Sequence, residues 1–509
     1  MPAKTSDWRS WPPDLKQEFL EKLQTRRASM VGTVFKRTYR NDPVAFAHDC
    51  ISWRTDEKLA SYQEEILAAL VKNRRVAVRA PHATGKSATA ALAVLWFALT
   101  RDGDDWKVPT TASAWRQLTK FFWPELHKWA RRLNWDKVTR QPFNSQTELL
   151  TLNLKLTTGE AFSVASTNHE LIEGAHADHL LYLFDEAKAI STNIFDAAEG
   201  ALANGECYAL AISTPGEPVG RFYSIHCRKP GLESWWVRHI TLEEAIKAGR
   251  INQTWADEKK LLWGEHSAVY QNRVLGEFCT SDEDGLIPLA WVEAAIDRWL
   301  EWEESKQWLP FSCVGVDVAR SENGDKTVLA LRHGDVITEL RRHTGADTMS
   351  VVGNVAGILK KRGGYAVVDV IGVGGGPFDR LREQKFSVRA FNASSSAPSG
   401  MKDRSGELEF LNLRSAAWWN LREALDPAYG PTIALPADDT LIGDLTAPHW
   451  KTTSTGKIQI ESKDEIRKRL GRSTDDGDAV VMAFFSEPQQ KLVCVKPFSI
   501  WKRSAWRIA

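Results

Sequence analysis

Apolar and polar positions along this chain fall into short blocks that switch between two periods. Val76-Ala-Val78, Leu180-Leu-Tyr-Leu-Phe184 and Tyr208-Ala-Leu-Ala-Ile-Ser213 are continuous apolar runs, the pattern of strands buried on both faces. Ser87 to Leu99 is apolar over a length that suits a helix rather than a strand. Strand and helix patterns alternate in this way up to about residue 280, which predicts an α/β domain over 1–280 with a parallel sheet and an N-terminal helical segment. Thr280-Ser-Asp-Glu-Asp-Gly285 is acidic and poor in apolar residues, so 281–309 is expected to be a linker. A second α/β pattern follows over 310–487. Its strands are expected at Cys313–Val318, Thr327–Arg332, Val336–Arg341 and Tyr365–Val370, with a helix at Thr348–Lys361 and an apolar helix beginning at Asp478. The remainder, 488–509, reads as a tail in which Lys491, Lys496, Lys502, Arg503 and Arg507 alternate with Phe498, Ile500, Trp501 and Trp506.

Composition narrows the picture. At 509 residues the chain exceeds what one core supports, so at least two domains are expected. With 43% hydrophobic and 26% charged residues it belongs with globular chains. The longest apolar run is too short to span a bilayer, and the first residues lack the apolar core of a signal peptide. Six scattered cysteines without a C-x-x-C pair fit isolated thiols in a reducing cytoplasm better than zinc or disulfides. The net charge of +1 means that any nucleic-acid contact must come from local patches.

Chemistry enters at Ala80-Pro-His-Ala-Thr84-Gly85-Lys86-Ser87, between the first strand and its helix. A strand–turn–helix of this kind presents backbone N–H groups, a lysine and a hydroxyl to one point. Triphosphates bind there: amides cradle the phosphates, the lysine reaches the β/γ oxygens and the hydroxyl holds Mg²⁺. Ala80 stands where the G-x-x-x-x-G-K-[ST] pattern has its first glycine, and Pro81 removes an amide. Asp185 and Glu186 close the strand at Leu180–Phe184, Asp185 expected at Mg²⁺ and Glu186 as the base that orients water. Thr214, after the strand ending at Ser213, is expected to sense the γ-phosphate. Tyr62 and Gln63 are candidates to stack on and hydrogen-bond adenine, and Arg79 is a candidate arginine finger in cis.

The second half carries a different set. Asp317 closes one apolar strand, Asp369 closes another, and Asp478 opens the last helix. Carboxylates at core-flanking positions make sense when they bind a cation. Three of them can hold two Mg²⁺ or Mn²⁺ ions about 3.5–4 Å apart, which activate water against a phosphodiester. Strand, strand, helix, with a meander after the first, suggests a ribonuclease H-like nuclease. Asp475 and Asp476 are rivals for the third acid, and Asp325 reads as turn chemistry.

The ordered set resembles the large terminase subunit of tailed bacteriophages over about Phe46 to Phe485. Glu173-Gly-Ala-His176, Asp379-Arg380-Leu381 and Ser462-Lys-Asp-Glu465 add to that resemblance. It implies an N-terminal P-loop (RecA/ASCE-like) ATPase domain and a C-terminal ribonuclease H-like nuclease domain. ATP hydrolysis would drive double-stranded DNA into a procapsid, and a two-metal endonuclease would cut concatemeric DNA. ATP and Mg²⁺, with Mn²⁺ at the nuclease site, are the implied cofactors. The implied partners are DNA, the portal protein, the small terminase subunit and further copies in a ring, a pentamer, with no membrane. The implied location is the host bacterial cytoplasm, with a transient stay at the procapsid portal. Arg131, Arg132 and Arg140 are candidates for an arginine acting on a neighbouring subunit. The tail would dock on the portal or contact DNA. The competing classes are a helicase–nuclease and a non-enzymatic portal or DNA adaptor with a degenerate ATPase fold.

Overall fold

The computed structural model describes residues 12–165, 169–201, 205–279, 284–305, 307, 309–319, 326–344 and 347–485. The tail 488–509 and Asp325 lie outside them. The chain forms two compact units that divide between Glu283 and Asp284.

The first unit is built on eight strands: β1 (Arg75–Arg79), β2 (Trp106–Ala112), β3 (Leu149–Leu150), β4 (Asn153–Lys155), β5 (Gly159–Val164), β6 (His179–Asp185), β7 (Glu206–Ser213) and β8 (Trp236–His239). Their order is β3-β4-β5-β2-β6-β7-β1-β8. Every pair from β5 to β8 is parallel, and only β3 and β4 run against their neighbours. Parallel strands need covered faces, which explains why β1, β6 and β7 are apolar between their polar ends. The helix Lys86–Arg101 is apolar on all sides and buried from Thr89 to Arg101, so it forms the centre of this core rather than an outer layer. Because β7 lies between β1 and β6, the ends of all three strands face one edge, with Arg79 opposite Ser213 and Asp185 opposite Ile212. The loops that leave that edge carry Lys86, Glu186 and Thr214, and in open parallel sheets such an edge is where ligands generally bind.

The second unit contains a sheet of order β11-β10-β9-β12-β13, from β9 (Phe311–Asp317), β10 (Lys326–His333), β11 (Val336–Thr344), β12 (Tyr365–Asp369) and β13 (Val388–Phe391). β9, β10 and β11 form an antiparallel meander, whereas β12 runs parallel to both β9 and β13. A separate hairpin pairs β14 (Trp450–Thr452) with β15 (Ile458–Ile460). Helix Thr348–Arg362 packs on one face through Val351, Val355 and Ile358. Helix Asp475–Phe484 lies directly against β9, where a Cβ on Gly315 would come within 2.0 Å of the Ala479 carbonyl. Glycine is therefore what lets that helix approach the strand.

One expectation changes. Most of 281–309 is not a linker, because Leu289–Ser305 is a helix of the second unit. It is tied there by Leu435 N to Ala295 O at 3.1 Å, Arg298 Nε to Ile433 O at 2.8 Å and Trp299 Nε1 to Ile337 O at 2.8 Å. Apolar Leu289, Val292, Ala295 and Ile296 supply its buried face at helical spacing, a signal that the acidic stretch before it obscured. Among the described residues no helix is long and apolar enough to cross a membrane.

Candidate active sites

The loop after β1 is wound tightly around its lysine. Ala83 and Gly85 adopt positive φ, +60° and +80°, which turns the chain sharply before the helix begins at Lys86. Lys86 Nζ points back to the Pro81 carbonyl at 2.7 Å, and Thr84 Oγ1 donates to the same oxygen at 3.1 Å. Burial pulls the pKa of Lys86 down, while the nearby Glu186 and Asp185 carboxylates sustain its charge. Asp185 is itself buried at the end of β6, and burial together with Glu186 pushes its carboxyl up to about 7, against the pull of Lys86. The loop thus brings Lys86, Asp185 and Glu186 into one low-dielectric site, where a phosphate or a cation would interact strongly.

Glu186 sits in the left-handed region at φ +47°, an uncommon conformation for a non-glycine residue. Its side chain accepts from Ser213 Oγ at 3.0 Å and from Thr214 Oγ1 at 3.3 Å. The end of β7 therefore grips the acid at the end of β6. Thr214 is brought to this site, and Ser213 joins it although the strand pattern marked it only as a strand end.

Two expectations on this site meet other contacts in the structure. Tyr62 and Gln63 are not open for a base; both are buried behind the loop. Tyr62 Oη donates to Thr84 O at 2.9 Å, and Gln63 Nε2 donates to Thr89 Oγ1 at 2.9 Å and Gly85 O at 3.3 Å. Gln63 Oε1 accepts from Ala60 N at 3.0 Å and Arg250 Nη2 at 3.1 Å, so the carboxamide is fully used. Both side chains brace the turn. Arg79 is likewise engaged away from Lys86: it pairs with Glu277, donates to Gly276 O at 3.2 Å and lies 5.3 Å from the Phe278 ring centroid. A cis finger would have to leave that ion pair. Of the candidate trans arginines, Arg132 is paired with Glu57 and Arg140 with Glu148, while Arg131 is exposed.

In the second unit, Asp317 and Asp369 end adjacent parallel strands, with Val316 opposite Val368 just before them. The helix of the third acid begins at Asp475, three residues earlier than expected, so Asp475, Asp476 and Asp478 all lie in its first turn. Spacing of three puts Asp475 and Asp478 on one face. Asp476 faces elsewhere, paired with Arg342 through bonds of 2.6–3.0 Å, which removes it from the rivalry.

Between the remaining acids stands a lysine. Lys463 Nζ donates to Asp317 Oδ1 and Oδ2 at 3.0 and 2.9 Å, and lies 3.2 Å from Asp478 Oδ2 and 4.0 Å from Asp475 Oδ1. Burial opposes its charge, yet Asp317, Asp478 and Asp475 raise its pKa. Asp478 also accepts from Trp418 Nε1 at 2.9 Å and Thr474 Oγ1 at 2.9 Å, and pairs with Arg414. Burial alone would raise Asp478, but Arg414 and Lys463 hold it below the usual carboxylate range. Asp317 and Asp369 go the other way, raised chiefly by burial. Among the described residues no three His, Cys, Asp or Glu side chains are grouped as a metal site. The Lys463 ammonium stands among oxygens of Asp317, Asp478 and Asp475, carboxylate donors of the type that hard divalent ions prefer, but the acids are not drawn together as a metal site.

Sequence reasoning passed over Lys463, Arg414 and Trp418 as site residues. Ser462-x-x-Glu465 is a capping box that starts the helix Lys463–Leu470 and so aims Lys463, which was readable; its pairing with Asp317 was not. Arg414, a buried arginine beside Trp418 and Trp419 in the helix Leu413–Leu425, was the other available signal.

No family model matches the chain. It is 29% identical over 310 residues to the probable terminase, large subunit, of Enterobacteria phage P7, covering 57% of this chain and 58% of that protein. The match thus spans little more than half the length of the curated relative. Similar solved structures include the large terminase of a thermophilic bacteriophage, at 11% identity and TM-score 0.40, covering 84% of this chain and 98% of that one. The same protein in complex with ADP matches at 10% identity and TM-score 0.39, covering 84% and 100%. The nuclease domain of the large terminase subunit gp2 of bacterial virus Sf6 matches at 20% identity and TM-score 0.35, covering 40% and 98%. The chain is therefore similar to large terminase subunits.

Proposed function

We propose that this chain is the ATPase and nuclease subunit of a viral DNA-packaging motor, of the large terminase kind. The observation that carries the reading is the buried meeting of Lys86 with Asp185 and Glu186 at the ends of β1 and β6, with Thr214 on the intervening β7. In this reading the loop amides and Lys86 hold the triphosphate, while Ser87 and Asp185 hold its Mg²⁺. Glu186 takes the proton of the attacking water, and its release from Ser213 and Thr214 links γ-phosphate occupancy to the end of β7.

In the second unit Asp317, Asp369 and Asp478, flanked by Asp475, would hold divalent ions. Such ions supply a polarised phosphodiester and an activated water. The protein's own part is positioning: Trp418, Thr474 and Arg414 fix the Asp478 carboxylate, and Gly315 sets the distance between Asp478 and Asp317. Double-stranded DNA is the proposed substrate of both units, with the portal, the small subunit and further copies of the chain as partners. The P7 relative's name supports this reading. Procapsids bearing portal, incubated with the purified chain, ATP and linear duplex, test it. Nuclease-protected DNA that depends on ATP is expected, and its absence with active procapsids would overturn the packaging role.

A further inference from the structure

An aspartate in the last turn of a helix faces the negative end of that helix's dipole, so it does little for the helix it sits on. Asp444 is such a residue, in the last turn of helix Asp439–Thr446, and it is 1% exposed. Its oxygens serve a different helix. Oδ2 accepts from Asp476 N at 2.9 Å and Gly477 N at 3.2 Å, while Oδ1 pairs with Arg472. Those amides are the second and third of helix Asp475–Phe484, the donors that a helix's own cap residue ordinarily satisfies.

The cap residue of that helix is Thr474, a type suited to the task, yet its side chain caps nothing. Its Oγ1 donates to Asp478 Oδ2 at 2.9 Å instead. The approach of Asp444 is built in. A Cβ on Gly477 would lie 3.1 Å from Asp444 Cβ and 3.0 Å from Trp418 Cη2, so glycine makes room for both. The helix bearing Asp444 is pinned at its other end as well. Asp438 caps it, accepting from Thr440 N at 3.0 Å and Leu441 N at 3.1 Å. Arg342 then bridges Asp438, at 2.7 Å, to Asp476, at 2.6 Å.

We propose that Asp444 is a positioning residue of the nuclease site: by capping helix Asp475–Phe484 from outside, it leaves the Thr474 hydroxyl free to hold the Asp478 carboxylate for divalent ions. The proposal rests on the reading of Asp317, Asp369 and Asp478 as metal ligands. Without Asp444, the two amides lose their acceptor, and Thr474 turns to cap its own helix and releases Asp478.

Asp444→Ala, Thr474→Val and the double variant of the full chain test this exchange of caps. Calorimetric titration with Mn²⁺ reads the binding that Asp317→Asn removes. Each single variant should weaken it by at least about tenfold, and the double variant no further than either. The melting transition of the second unit, measured without metal, should couple the opposite way. Thr474→Val should lower it more in the Asp444→Ala background, where the hydroxyl has become the cap, than in the parent. Asp444→Asn keeps an oxygen for the amides and should recover most of the Mn²⁺ affinity. Additive losses of Mn²⁺ affinity would overturn the proposal, as would an Asp444→Ala chain that melts lower but binds Mn²⁺ as the parent does. If Asp444→Ala does not fold, Thr474→Val decides: weaker Mn²⁺ binding with little change in melting supports the exchange, and lower melting with intact binding overturns it. A parent chain without Mn²⁺ binding through Asp317 would overturn the nuclease reading itself, a failure distinct from either.

Discussion

At the scale of single residues, the hydrolysis proposed for the first unit turns on Glu186. Its carboxylate is aligned by Ser213 and Thr214, so Glu186→Gln keeps the shape and the hydrogen bonds but cannot take a proton. ATP hydrolysis should fall by about 10²–10⁴-fold while ATP still binds, measured as steady-state turnover beside nucleotide affinity. In the second unit Asp475 and Asp478 share a helix face but not an environment. Asp478 is enclosed by Arg414, Trp418 and Thr474, whereas Asp475 Oδ2 accepts from Lys326 N at 3.3 Å. Asp478→Asn should abolish plasmid cutting; cutting that survives it but is lost in Asp475→Asn would reassign the third ligand. His226 supplies a pH test. Burial, with Arg79 and His239 nearby, lowers its pKa from 6.5 to about 3, and its Nε2 has no hydrogen-bond partner among the described residues. The unfolded chain therefore binds the extra proton between pH 6.5 and 3, and stability falls as the pH drops through that window. The loss is at most about 2 kcal/mol at pH 5. The melting temperature of the first unit should drop less between about pH 7.5 and 5 in His226→Gln than in the parent.

At the scale of elements, β1, β6 and β7 were legible because buried parallel strands are continuous apolar runs, and β6 and β7 extend the expected segments by only one or two residues. The parallel β2, β5 and β8, with polar residues or proline interspersed, were not marked. The helix Asp475–Phe484 was legible in its apolar part alone. Its start was misplaced by three residues because its first turn is acidic and is capped from a distance, Asp444 Oδ2 accepting from Asp476 N at 2.9 Å and Gly477 N at 3.2 Å. Long-range capping leaves no local pattern to read. The contacts of Tyr62 and Gln63 with the loop were hidden for a related reason: an aromatic beside an amide looks the same whether it faces a ligand or the back of a loop. The contact of that helix with β9 can be probed at Gly315. A side chain there meets backbone, which cannot move aside as a side-chain tip would. Gly315→Val should cost more than the roughly 1–3 kcal/mol typical of overpacking, seen as a lower melting transition of the second unit with ATPase activity retained.

At the scale of the whole molecule, the two proposed chemistries fall in two compact units that divide after Glu283, each with its own buried charges. Lys86 belongs to one and Asp317 to the other, so their substitutions should not couple. The direct test measures ATP hydrolysis and Mg²⁺-dependent plasmid cutting side by side in the parent chain, Lys86→Ala and Asp317→Asn. Lys86→Ala should lose hydrolysis and keep cutting, and Asp317→Asn should lose cutting and keep hydrolysis. A parent chain that neither hydrolyses ATP nor cuts DNA, or an Asp317→Asn variant that still cuts, would contradict the assignment of an ATPase and a nuclease to these residues.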